Sequence, residues 1–106
     1  MVKLVESVES FDEILKGAGG KMICVDFSAS WCGPCKIIGP KFEAMANEME
    51  GKFIALKVDV DEVEELAGKY EISAMPTFII IKDGKKVDAL IGADEQKLRA
   101  LINKYV

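Results

Sequence analysis

Apolar and polar positions along the 106 residues follow two periods, near 2 and near 3.6. Val2 and Leu4 are spaced by one polar residue, which predicts a short strand over about residues 2–6. Phe11, Ile14, Leu15 and Ala18 then recur at helical spacing. Ser10-Phe11-Asp12-Glu13 reads as the capping box of that helix, and Gly17, Gly19 and Gly20 end it. From Met22 to Ser28 the chain is apolar and broken only by Asp26, as in a strand covered on both faces. A long helix follows from about Cys32 to Met49, with Ile38, Phe42, Met45 and Met49 as its inner stripe. Pro40 lies inside it and is expected to bend it, because the ring removes one hydrogen bond and crowds the preceding turn. Phe53 to Asp59 is a further strand. Asp61 and Glu64 stand where they would cap a short helix facing inward through Val63, Leu66, Ala67 and Tyr70. Thr77–Lys82 and Lys85–Ile91 flank Asp83-Gly84, a strong hairpin signal. Asp94 opens a last helix with Leu98, Leu101, Ile102 and Tyr105 inward.

Strands and helices therefore alternate until the hairpin. In the first half this implies parallel strands joined by right-handed crossovers, and the hairpin then adds an antiparallel pair. The expected architecture is a mixed five-stranded α/β sheet with helices on both faces, in one domain spanning residues 1–106.

Composition narrows the function. Half of the residues are apolar and 30% are charged, enough to bury a core. The net charge of -4 argues against nucleic acid and anionic membranes as partners. No apolar stretch of signal-peptide length follows Met1, and the longest strongly apolar run, Phe78 to Ile81, is far too short to span a bilayer. A cytoplasmic location is expected, where thiols are mostly kept reduced. Three cysteines and no histidine exclude a Cys–His nucleophile pair and a four-ligand Cys/His zinc site built from this chain alone. The odd count also leaves one thiol outside any pure disulfide framework.

The chemistry concentrates at Cys32-Gly33-Pro34-Cys35. The spacing alone is equally that of half a zinc site or of two buried helix-start cysteines. Its place is more informative, since it sits where a strand feeds a helix. Cys32 falls near the N-cap and Cys35 one turn in, so their side chains are neighbours. A bridge between them closes a very short loop and stabilises little, which suits a reversible bond better than a staple. The positive end of the helix dipole and Lys36 favour a thiolate on Cys32, which is expected to be exposed and nucleophilic. Gly33 permits close approach of another chain. Pro34 lacks an N–H, which costs little in a first helical turn. Trp31 offers an exposed apolar platform beside the thiol. Asp26 is expensive to bury charged, so its pKa should rise, which suits a proton acceptor for Cys35. A strand-end carboxylate reaching water is the plainer reading. Cys24, in the same apolar strand, reads as buried and inert. On their own residues, Lys57 is a solvated strand-end charge, Met75 a core filler, Gly92 a turn residue, and Pro76 an ordinary trans proline before a strand.

Trp31-Cys32-Gly33-Pro34-Cys35-Lys36, Asp26, Met75-Pro76-Thr77 and Ile91-Gly92-Ala93 together resemble the thioredoxin family, over essentially the whole chain. The resemblance implies the thioredoxin fold and a redox-active Cys32–Cys35 disulfide, with no bound cofactor and no metal. It implies reduction of disulfide-containing protein substrates and recharging by thioredoxin reductase and NADPH. Cys32 would then be the nucleophile, Cys35 the resolving cysteine and Asp26 the proton acceptor, with Lys57 pairing with Asp26 from the next strand. The resemblance also implies a cis Pro76 facing the cysteines and turning the Met75 backbone toward an extended substrate. Trp31, Met75, Pro76, Gly92 and Ala93 would edge a shallow apolar groove. Asp61, chiefly an N-cap, would also lie near the Trp31 ring. Vertebrate members often carry a cysteine just before Met-Pro-Thr; here Ala74 stands there, so no disulfide-linked dimer is implied through that position and a monomer is expected. Competing readings are an oxidase or isomerase of the same fold, an interaction module and a zinc module. Gly-Pro between the cysteines and the cytoplasmic composition favour the reductant.

Overall fold

The computed structural model describes all 106 residues. In chain order its elements are β1 (Val2–Leu4), α1 (Val8–Lys16), β2 (Ile23–Ser28), α2 (Gly33–Glu48), β3 (Ile54–Asp59), α3 (Glu64–Lys69), β4 (Thr77–Lys82), β5 (Lys85–Ile91) and α4 (Glu95–Tyr105). All six residues of β2 are buried, as a strand flanked by strands and covered on both faces must be. The sheet order is β1-β3-β2-β4-β5. β1, β3 and β2 run parallel, while β4 is antiparallel to β2 and β5 to β4. The expected fold class and all nine elements are present.

Alternation along the strands divides the core in two. On one face Cys24, Ala55, Phe78 and Ile80 pack with Ile38, Phe42, Met45 and Ala46 of α2 and with Leu98 and Ile102 of α4. On the other, Ile23, Val25, Phe27, Leu56, Val58, Ile79 and Ile81 pack with Phe11 of α1 and Leu66 of α3. Asp26 alternates onto the α2 face. Asp83 (φ 52°) and Gly84 (φ 78°) both adopt positive φ, the backbone a two-residue hairpin loop requires. α2 runs on through Pro40 without interruption.

Two local readings are corrected. Helix α1 starts one turn earlier than the capping box placed it: the N-cap is Ser7, whose Oγ accepts the Ser10 N–H at 3.1 Å. Ser10 lies inside the first turn and turns its own hydroxyl back to the Ser7 carbonyl at 3.0 Å. Two serines three residues apart offer the same chemistry, and the earlier one also captures Val8 for the core. Asp61 does not cap α3, whose N-cap is Val63 and which has no side-chain cap. Leu4, beside Lys57 in the register, is exposed, whereas Val5 turns into the opposite core.

Candidate active site

The carboxyl ends of β2 and β3 and the N-terminus of α2 meet at one edge of the sheet. Cys32 is the N-cap of α2, and its Sγ accepts the Cys35 N–H at 3.2 Å. A helix N-terminus leaves its first N–H groups without intrahelical partners, so the sulfur occupies the position a capping oxygen would take. That hydrogen bond and the dipole behind it stabilise negative charge on Cys32 Sγ once the bridge is reduced. Cys32 and Cys35 form a disulfide, with Cα atoms 5.3 Å apart. Pro34 occupies the first turn, where its missing N–H leaves nothing unsatisfied.

Cys32 is not the exposed thiol expected of it. Cys32 and Cys35 are each 5% accessible, and Ala29, Val60 and Met75 pack around both. Cys32 Sγ lies 3.7 Å from the Met75 carbonyl oxygen. The two sulfurs differ in surroundings rather than in exposure. Cys32 holds the helix N-terminus, whereas Cys35 lines a cleft of about 360 Å³ together with Asp26 and Lys57.

Asp26 is 1% accessible, and its Oδ1 is buried without a hydrogen-bond partner. Burial, opposed by the Lys57 charge, pushes its carboxyl up to about 7. Lys57 stands directly opposite Asp26 in the β2–β3 register and lines the same cleft, but no ion pair joins them. The ion pairs of this chain are Lys41–Glu95, Arg99–Glu48 and Lys104–Asp88. The expected pairing is thus a longer-range attraction, with Lys57 in solvent. Cys24 is a free, fully buried thiol, pushed up by burial and by the neighbouring Asp26 charge. It stays protonated and is a poor nucleophile.

A thioredoxin family model matches residues 2–104. This chain belongs to the thioredoxin family. It is 47% identical to a Homo sapiens thioredoxin over 106 residues, covering 100% of both chains. It is 47% identical to the Mus musculus thioredoxin over 105 residues, covering 99% of each. The X-ray structure of Fasciola hepatica thioredoxin, 45% identical, superposes with a TM-score of 0.94 and covers 98% of this chain and 99% of that one. A reduced Schistosoma mansoni thioredoxin pre-protein, 42% identical, has a TM-score of 0.93 with 99% and 98% coverage. Membership makes the chain a disulfide oxidoreductase and the Cys32–Cys35 pair its dithiol–disulfide couple.

Around that couple the chain assembles most of the expected residues. The Met75–Pro76 peptide is cis. Gly92, at φ 110°, donates its N–H to the Pro76 carbonyl at 2.9 Å, which ties the Gly92-Ala93 segment to Pro76. Met75 is half-buried, while Trp31 is 67% accessible. Trp31 Nε1 donates to Asp61 Oδ2 at 2.9 Å, and the Asp61 N–H donates to Asp59 Oδ1 at 2.9 Å. Asp61 therefore orients the indole instead of capping a helix. Ala29 and Val60 were not legible as site residues. Each lies just beyond the end of a strand, at the sheet edge where the cysteines sit, and that topological position is the only signal of their role.

Proposed function

We propose that this chain reduces disulfides in other proteins by two successive thiol–disulfide exchanges. Cys32 thiolate attacks one sulfur of the substrate disulfide, forms a mixed disulfide and displaces the other sulfur as a thiolate. Cys35, whose proton passes to Asp26, then attacks Cys32 Sγ. The bond to the substrate breaks and the Cys32–Cys35 disulfide forms, so two electrons reach the substrate. Thioredoxin reductase, drawing on NADPH, returns the couple to the dithiol. The observation that carries this reading is Cys32 Sγ at the N-cap of α2, accepting the Cys35 N–H. A donor aimed at one sulfur makes that sulfur the better thiolate and the attacking group. The Asp26 carboxyl, raised to about 7, holds or yields a proton near neutral pH, as a general base must.

In the same reading the chain acts as one domain and a monomer in the cytoplasm, and substrate docks over Trp31, Met75, Pro76, Gly92 and Ala93. The Met75 backbone N–H makes no hydrogen bond within the chain, which leaves it for an extended segment of substrate. Gly33 keeps the approach to Cys32 open, since a Cβ there would meet nothing within 4 Å. The test is NADPH-driven reduction of insulin disulfides with thioredoxin reductase. The wild-type chain turns over and Cys32→Ser does not; turnover by Cys32→Ser overturns the assignment.

A further inference from the structure

Cys35, Gly39, Phe42 and Glu43 lie four, three and one residue apart in turn along α2, a spacing that places them within one face of the helix about 100° wide. All four line the cleft that reaches Asp26, and Val2 and Lys57 close its far side. Gly39 gives that face no side chain at its middle, where a Cβ would meet nothing within 4 Å. The helix side of the cleft is therefore open at Gly39 and bounded at Glu43. There Glu43 Oε2 accepts the Val2 N–H at 3.2 Å, 41 residues away in sequence.

That bond spans two elements. β1 is a three-residue edge strand, held by β3 on one side only. An edge strand so short frays unless something else fixes its first residue. Glu43 supplies the tie from the helix above, at the rim of the cleft. We propose that Glu43 is a positioning residue: by holding the Val2 N–H it seats β1 against α2 and keeps water from the buried Asp26 carboxyl at the base of the cleft. The inference rests on the proton-acceptor role given to Asp26 above.

The groups facing Asp26 are few. β2 offers Cys24 and β3 offers Lys57, while the β4 residue opposite Asp26 is the apolar Phe78. α2 offers Cys35, Lys36 and Glu43, and α4 contributes no residue to the cleft lining. Untying β1 admits water to a carboxyl that is otherwise dry, which lowers its titration midpoint. Removing the Glu43 charge alone acts in the same direction, so the two effects must be separated.

The test follows the Asp26 carboxyl carbon by NMR across a pH titration of the oxidised protein, for wild type, Glu43→Ala and Glu43→Gln. Gln keeps an acceptor oxygen for the Val2 N–H and removes the charge. Glu43→Ala is expected to lower the Asp26 midpoint by about one pH unit or more, while Glu43→Gln stays within about 0.3 of wild type. Amide exchange at Val5, whose N–H donates to the Lys57 carbonyl at 2.9 Å, should accelerate about tenfold in the Ala variant only. An unmoved midpoint in Glu43→Ala overturns the proposal, as does a Gln variant that matches the Ala variant, which would make the effect one of charge. The titration is read without turnover. A failure of Asp26 as proton acceptor appears instead as an unchanged activity profile in Asp26→Asn.

Discussion

Asp26→Asn should stabilise the fold while it slows the chemistry. Burial raises the Asp26 carboxyl from 3.8 to about 7. The folded chain thus binds more protons than the unfolded chain between about pH 4 and pH 7, and its stability falls as pH rises through that interval. At about 1.4 kcal/mol per pH unit, the buried carboxylate costs about 4 kcal/mol once fully ionised. Asn keeps the shape and has no proton to lose. The difference between variant and wild type should be small at pH 4, grow through pH 6 and level off near 4 kcal/mol above pH 8. With a guanidinium slope of about 4 kcal/mol per molar, the midpoint of Asp26→Asn at pH 8 should lie about 1 M higher. The assay is guanidinium unfolding of the oxidised form at pH 4, 6 and 8, beside the pH profile of insulin reduction on the same preparations. The profile should lose its Asp26 limb, so that stability and activity move in opposite directions. A difference independent of pH, or a lower midpoint at pH 8 with the activity profile untouched, would refute the reasoning and leave Asp26 a structural residue.

Cys24→Ala should cost about 1 kcal/mol, the scale of one deleted buried heavy atom, and leave insulin reduction within about twofold of wild type. A large fall in turnover with circular dichroism unchanged would place Cys24 in the mechanism. Ser7→Ala should lower stability by about 1 kcal/mol through loss of the α1 cap, and Ser10→Ala by less, both read from thermal midpoints. The reverse order would restore Ser10 as the cap.

The fold was legible where periodicity and burial agree. The apolar run of β2, broken only by Asp26, the inner stripes of α2 and α4 and the Asp83-Gly84 hairpin all stand where the pattern put them. The cysteines were legible because a strand-to-helix junction is a local feature. What failed was long-range or degenerate. Ser7 and Ser10 are chemically alike, and only the packing of the first turn chooses between them. Asp61 meets Trp31 across 30 residues, a contact that no local capping rule registers. Cys32 lost its exposure to Ala29, Val60 and Met75, which arrive from three separate loops. Lys57 faces Asp26 in register, yet its reach toward solvent is set by the cleft and not by spacing.

The division of labour between the two cysteines is tested most directly by trapping. Cys35→Ser, reduced and mixed with a disulfide-containing protein, should accumulate a covalent adduct that peptide mass spectrometry maps to Cys32, because the resolving thiol is gone. Cys32→Ser should accumulate none under the same conditions. An adduct formed through Cys35 in Cys32→Ser, at a rate matching that of the other variant, would contradict the account and reverse the two roles.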